Sequence, residues 1–273
     1  MSINSPERAA GDPPPAGDRQ SIERRIQVDT LLLDDVGFEG AVQRIVAWGR
    51  DRSGGYVCTP NVDYVVRARR DAAFRRIVMG ARLRAADGMG IVYGSRLAGR
   101  RLSGTVTGRL LPVAVARNPD SPPLAMLGGS PGAAERAAGR LREAGGTVVA
   151  ATSPPMGFEI GDETDQQALR VVMAADPAIL FVGLGSPKQD QWMAEHARQL
   201  PRTVMVGIGA GIDVLAGMQP AAPAWMTSIG LEWAYRLAHE PRRLARRYLV
   251  DDPRFFWWML RARIGGGASA RQP

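Results

Sequence analysis

Two short stretches hold the side chains best placed to do chemistry. The first, RLRAADGMG, closes an apolar run on Asp87, directly before a glycine. A carboxylate at the end of a strand can take a proton from a hydroxyl as a general base; it can equally cap the helix that follows. The second, AILFVGLGSPKQDQ, carries Lys188 and Gln189 just past a glycine turn, and Lys188 is the only lysine among 35 basic residues. A lysine is a compact point charge suited to phosphate. Both residues open a helix, whose free N–H groups and positive dipole end attract anions.

Other turns repeat the pattern. Thr59-Pro60-Asn61 follows GYVC, Gly128-Gly129-Ser130 follows PLAML, and Gly207-Ile208-Gly209-Ala210-Gly211 follows TVMV, with Asp213 just beyond. Tight turns need glycine for their geometry alone. As a set on one sheet edge they suit a nucleotide or diphosphate, since glycine lets the main chain approach phosphate closely. Asp63 and Asp213 are weaker base candidates, because Asp63 lies in a first helical turn where a carboxylate complements the dipole.

Several chemistries lack their residues. GIGAGID and DGMGIVYG fail the dinucleotide fingerprint, no P-loop is present, and GLGSP lacks the second glycine of a serine-hydrolase elbow. The two histidines have no partner at metal-ligand spacing; His196 reads as the polar side of a helix and His239 as a last-turn cation. No Asp-x-Asp follows a strand, so the sequence gives no reason to expect a metal or other cofactor. One cysteine, Cys58, rules out an intrachain disulfide and fits a reducing compartment.

The elements that must position these residues alternate. Strands and helices succeed one another from Ile26 to about Pro220, which indicates parallel βαβ units and an α/β, Rossmann-like doubly wound sheet. The spacing predicts a strand pair or a bent strand in IQVDTLLL, a helix over 38–50, and a helical stretch over 60–81 whose second half Asp71 can cap. It predicts a helix with Ser130 as N-cap and Pro131 at its first position, a loop over 153–161, and a helix with the same Ser-Pro start at 186–187. Residues 1–21 read as a disordered tail, 22–219 as the α/β core, 220–264 as a helical appendage and 265–273 as a second disordered tail. No signal peptide and no membrane-spanning stretch is evident.

The appendage is distinctive. From Arg236 to Arg263 it has eight arginines against three acids, interleaved with Tyr248, Phe255, Phe256, Trp257 and Trp258. Arginine with tryptophan on a helix suits the interface of an anionic membrane, and the formal net charge of +8 agrees. A helix packing its aromatics on the core, or a nucleic-acid surface, are the alternatives; nucleic acid is the less favoured partner. Arg236, Arg243 and Arg246 stand at i, i+7 and i+10, where one face could clamp a diphosphate.

Taken together, TPNVDYVVRARRD, ADGMGIVYGSRLAG, LGGSPGAAERAAGRL, FVGLGSPKQDQWM, GIGAGIDVLAG and LEWAYRLAHEPRRLARRYLVDDPRF resemble the WecG/TagA/CpsF glycosyltransferases, from about residue 57 to 255. The resemblance implies an inverting, metal-independent transfer from a UDP-sugar to a polyprenyl-diphosphate-linked sugar, at the cytoplasmic face of the membrane. It implies Asp87 as base. It also implies Thr59, Asn61 and Gln189 as substrate residues, and Arg236, Arg243 and Arg246 as site arginines from the appendage. Lys188, Gly207, Gly209 and Asp213 join the substrate-binding candidates by position on the ligand edge. One stretch departs from the pattern: where the family reads RVxGxDL, this chain reads GTVTGRLLP, with Thr105 and Leu110 at the arginine and aspartate positions and Arg109 or Arg101 as nearest substitutes. A dinucleotide-dependent oxidoreductase and a non-catalytic membrane-bound relative are the alternatives. A homo-oligomer is left open.

Overall fold

The computed structural model describes residues 24–155, 157–220, 226, 232–239, 249 and 251–269. The described residues open with an antiparallel hairpin, β1 (Arg25–Val28) and β2 (Leu31–Asp34). Six parallel strands follow: β3 (Tyr56–Cys58), β4 (Leu83–Arg84), β5 (Leu124–Gly128), β6 (Val148–Thr152), β7 (Ile179–Gly183) and β8 (Val204–Gly207), in the spatial order β4-β3-β8-β7-β5-β6. β5, β7 and β8 are buried along their whole length. Their runs LAMLG, ILFVG and VMVG are continuous rather than alternating because helices cover both sheet faces.

Alternate strand residues feed two cores. Leu180 and Val182 point to one, packed by α2 (Val62–Arg70), α3 (Ala72–Gly80), α4 (Met89–Leu97), α7 (Glu163–Ala175) and α8 (Lys188–His196). Ile179 and Phe181 point to the other, packed by α1 (Phe38–Arg50), α5 (Leu111–Ala116), α6 (Ala133–Glu143) and α9 (Gly211–Leu215). The expected doubly wound sheet is therefore present. The helical stretch over 60–81 divides at Asp71, whose carboxylate accepts from the Ala73 and Phe74 N–H groups at 2.9 and 3.0 Å.

Two expectations are corrected. α6 begins at Ala133, not at Ser130; its N-cap is Gly132, at φ +79 in the left-handed region. The Ser130 carbonyl accepts the Ala133 N–H at 2.8 Å, closing a turn between strand and helix, and the Ser130 N–H goes to the Asp213 carboxylate at 2.8 Å. At the other end, the C-terminal helix Asp252–Ser269 runs past Ile264, through residues the sequence assigns to a tail. Its glycine run has poor helix propensity, which is why sequence reading stops there.

Among the described residues after Pro220 there are helices and no strands. The C-terminal helix packs onto the core rather than standing apart from it. Phe255 and Met259 are 0% and 1% exposed and share the cluster of α2 and α4. Gly94 of α4 makes room for this, since a Cβ there would lie 2.3 Å from the Phe255 ring. Arg70 pairs with Asp251 at 3.0 Å, and Arg69 lies over the Trp258 ring at 4.4 Å. No helix among the described residues is long and apolar enough to cross a membrane.

Candidate active site

The sheet reverses its winding between β5 and β7. From β5 the chain passes through α6 to β6 on one side; from β7 it passes through α8 to β8 on the other. Ligands of open parallel sheets sit beyond the strand carboxyl ends at such a switch. Here the adjoining turns are tied directly. The Gly129 N–H donates to the Gly183 carbonyl at 2.9 Å. Gly128 has φ +114 and a Cβ there would stand 2.5 Å from the same carbonyl oxygen, so only glycine fits. Ser153 Oγ donates to the Gly128 carbonyl and accepts from the Ala134 N–H, both at 3.1 Å.

Asp87 lies on this edge, half-buried, between β4 and α4. Its N–H donates to the Pro60 carbonyl at 2.8 Å, which locks the β3 and β4 ends together. Thr59 is buried and donates through Oγ1 to the Gly207 carbonyl at 3.1 Å. Asn61 caps α2, accepting from the Tyr64 N–H at 3.4 Å. Thr59, Asn61, Asp87 and Gly207 therefore share one neighbourhood at the ends of β3, β4 and β8. The departing stretch sits over them: Val106 N–H donates to the Ala86 carbonyl at 2.7 Å, and a Cβ on Gly108 would meet Thr59 Oγ1 at 3.1 Å. Arg109 packs against Gly211, and Leu110 is 47% exposed.

The two residues after the Ser-Pro start differ sharply. Gln189 is 2% exposed and bridges three elements: Nε2 donates to Tyr64 Oη at 3.0 Å, and Oε1 accepts from the Gly209 N–H at 2.9 Å. Lys188 points the other way. Its Nζ donates to the Phe158 carbonyl and lies 3.6 Å from the centroid of that ring, holding the 153–161 loop. Asp213 spends Oδ1 on the Ser130 N–H, so it braces a turn. Gly209 adopts φ +56. The side chain of Arg236, on helix Glu232–His239, lies outside the described residues, as do Arg243 and Arg246.

Beneath this edge lies a polar cluster that sequence reasoning missed. Asp190 is fully buried and accepts from Tyr64 Oη at 3.0 Å and Cys58 Sγ at 3.4 Å. Burial pushes its carboxyl up to about 6, with Ser186, Tyr64 and Cys58 acting in the opposite direction. Asp190 Oδ2 and Ser186 Oγ have no hydrogen-bond partner of ordinary geometry among the described residues. Burial, then the Asp190 charge, raises the Cys58 thiol and the Tyr64 phenol well above their usual ranges, so Cys58 is not a reactive thiolate. One signal was available: Asp190 shares a helical face with apolar Met193 at i+3, where a charge is out of place. His196 also proves buried rather than on a polar face, bonded to Asp165 at 3.0 Å and Gln199 at 2.7 Å. No group of three or more His, Cys, Asp or Glu side chains converges among the described residues.

A family model described as "Glycosyl transferase WecG/TagA/CpsF family" matches residues 26–269. An N-acetylglucosaminyldiphosphoundecaprenol N-acetyl-beta-D-mannosaminyltransferase of Bacillus subtilis (strain 168) is 27% identical over 208 residues, covering 74% of this chain and 77% of that protein. A protein of the same name from Staphylococcus aureus (strain MW2) is 32% identical over 102 residues, 37% of this chain. The match spans 39% of that relative's length.

Proposed function

Because this chain belongs to the WecG/TagA/CpsF glycosyl transferase family, we propose that it moves a hexose or N-acetylhexosamine from a UDP-sugar onto a polyprenyl-diphosphate-linked sugar. The observation that supports the reading is that Asp87, Thr59 and Asn61 stand together at the carboxyl ends of β3 and β4, on the same sheet edge as the glycine turns. Asp87 acts as general base on the acceptor hydroxyl, and one base acting in a single displacement inverts the anomeric centre. The leaving UDP is stabilised by turn N–H groups and by arginines, with Arg236, Arg243 and Arg246 of the appendage in that role and no metal required. Gln189 keeps the Gly209 turn in place, and Thr59 keeps the Gly207 end of β8. The enzyme works at the cytoplasmic face of the membrane, held there as a peripheral protein by its C-terminal helix.

The N-acetylmannosaminyl group and the GlcNAc-diphosphoundecaprenol acceptor named for the relatives are the first pair to test. A screen of UDP-sugars against lipid-diphosphate acceptors should give UDP release that depends on the acceptor. Asp87→Asn should lower turnover by about 10²–10⁴-fold while donor binding persists. Full activity in that variant would remove Asp87 from the role of base. A second reading follows from Thr105 and exposed Leu110 in the departing stretch: binding of UDP and lipid without turnover against any donor would identify a non-catalytic family member.

A further inference from the structure

The two sides of α4 line two different hollows. The first, of about 510 Å³, is lined by Arg24, Arg96, Arg101, Leu102 and Ser103. Asp35 holds the Ser103 N–H at 2.7 Å and hydroxyl at 2.9 Å, with Arg24 at 3.7 Å. Arg96 and Arg101 are exposed and form no ion pair among the described residues. The second hollow, of about 810 Å³, begins one residue further along. It is lined by Leu97, Phe256, Trp257, Leu260, Arg261 and Ile264. Trp257, Leu260 and Ile264 are 43%, 44% and 70% exposed, and Arg261 stacks on the Trp257 ring at 4.0 Å. An apolar groove with Arg96 and Arg101 exposed across α4 from it is complementary to acyl chains beneath anionic headgroups.

We infer that these two hollows form the footprint of an anionic phospholipid bilayer, with Trp257, Leu260 and Ile264 in the acyl boundary and Arg96 and Arg101 on headgroup phosphates. The inference rests on the membrane reading above and goes beyond it. The catalytic core itself, through α4, carries part of the contact. α4 starts directly after Asp87 and Gly88 and is about 14 Å long for nine residues, so Arg96 lies near the far end of the helix from the base.

The test is sedimentation of the full chain with phosphatidylcholine vesicles, with and without phosphatidylglycerol. Each arginine near such a surface is worth roughly fivefold, so Arg96→Gln with Arg101→Gln should weaken binding to the anionic vesicles by roughly 25-fold. Arg136→Gln with Arg140→Gln, on α6 across the sheet, makes the same charge change and should have little effect. Trp257→Ala with Leu260→Ala should weaken the binding that survives high salt. If the unmodified chain ignores anionic vesicles, the membrane reading falls and this inference with it. If it binds, but the α4 pair behaves like the α6 pair, only this inference falls. It also falls if sedimentation velocity shows a dimer that the groove variant dissolves, for then the occupant is a second copy of the chain.

Discussion

Gln189 Oε1 accepts the Gly209 N–H at 2.9 Å, so the turn after β7 and the turn after β8 are fixed to each other by one buried amide. The same amide reaches Tyr64 of α2, so three elements at this sheet edge meet on one side chain. Gln189→Ala would leave the Gly209 N–H and the Tyr64 hydroxyl without that partner, at a cost of about 1–3 kcal/mol. The expected outcome is a lower melting temperature together with weaker UDP binding by calorimetry. Unchanged UDP affinity would reduce Gln189 to a purely structural tie.

Lys188 should behave differently from Gln189. Its ammonium holds the Phe158 carbonyl and ring, a contact worth about 0.5–2 kcal/mol. Lys188→Ala should speed protease cleavage within residues 153–161. Lys188→Arg should preserve much of the protection, since a guanidinium also stacks on aromatic faces. Loss of donor binding with no change in cleavage would instead return Lys188 to the phosphate role.

Asp190 gives a pH signature. Its carboxyl titrates at about 6 in the fold against 3.8 for an exposed group. The native state therefore holds the proton more tightly than the unfolded chain does. This contribution is fully present below about pH 4 and is lost as pH rises through about 6, up to about 3 kcal/mol in all. Urea melts across that window should show stability falling with pH. Asp190→Asn, which cannot ionise, should remove that part of the slope.

Glycine-to-alanine changes in two helices should have opposite signs. Gly139 of α6 has nothing within 4 Å of an added Cβ, and alanine there should stabilise by about 0.5–1 kcal/mol. Gly94→Ala meets the Phe255 ring at 2.3 Å, and overpacking should cost about 1–3 kcal/mol despite the better propensity. Phe255→Ala, which empties the same contact, should cost about 3–5 kcal/mol. Thermal melts of the three variants check the ranking.

By itself the sequence determined the order of strands and helices, the Asp71 cap and the sheet edge on which Asp87, Thr59, Asn61 and the glycine turns lie. These follow from local periodicity, turn chemistry and the rule for parallel sheets, each legible within a few residues. α6 starts later than the spacing predicts because Gly132 takes a left-handed φ of +79, which no helical run from Ser130 can include, and the turn before it is braced by Asp213, 83 positions away. The tertiary structure alone separated Lys188 from Gln189, although the two are adjacent in the chain. It alone gathered Cys58, Tyr64 and Asp190 beneath the edge, and split the C-terminal helix into a face buried on α4 and an exposed face of Trp257, Leu260 and Ile264. The physical reason is common to all of these. Which way a helical side chain faces, and whether a polar group is buried with partners, depend on neighbours supplied by distant segments, and only the packed fold brings them together.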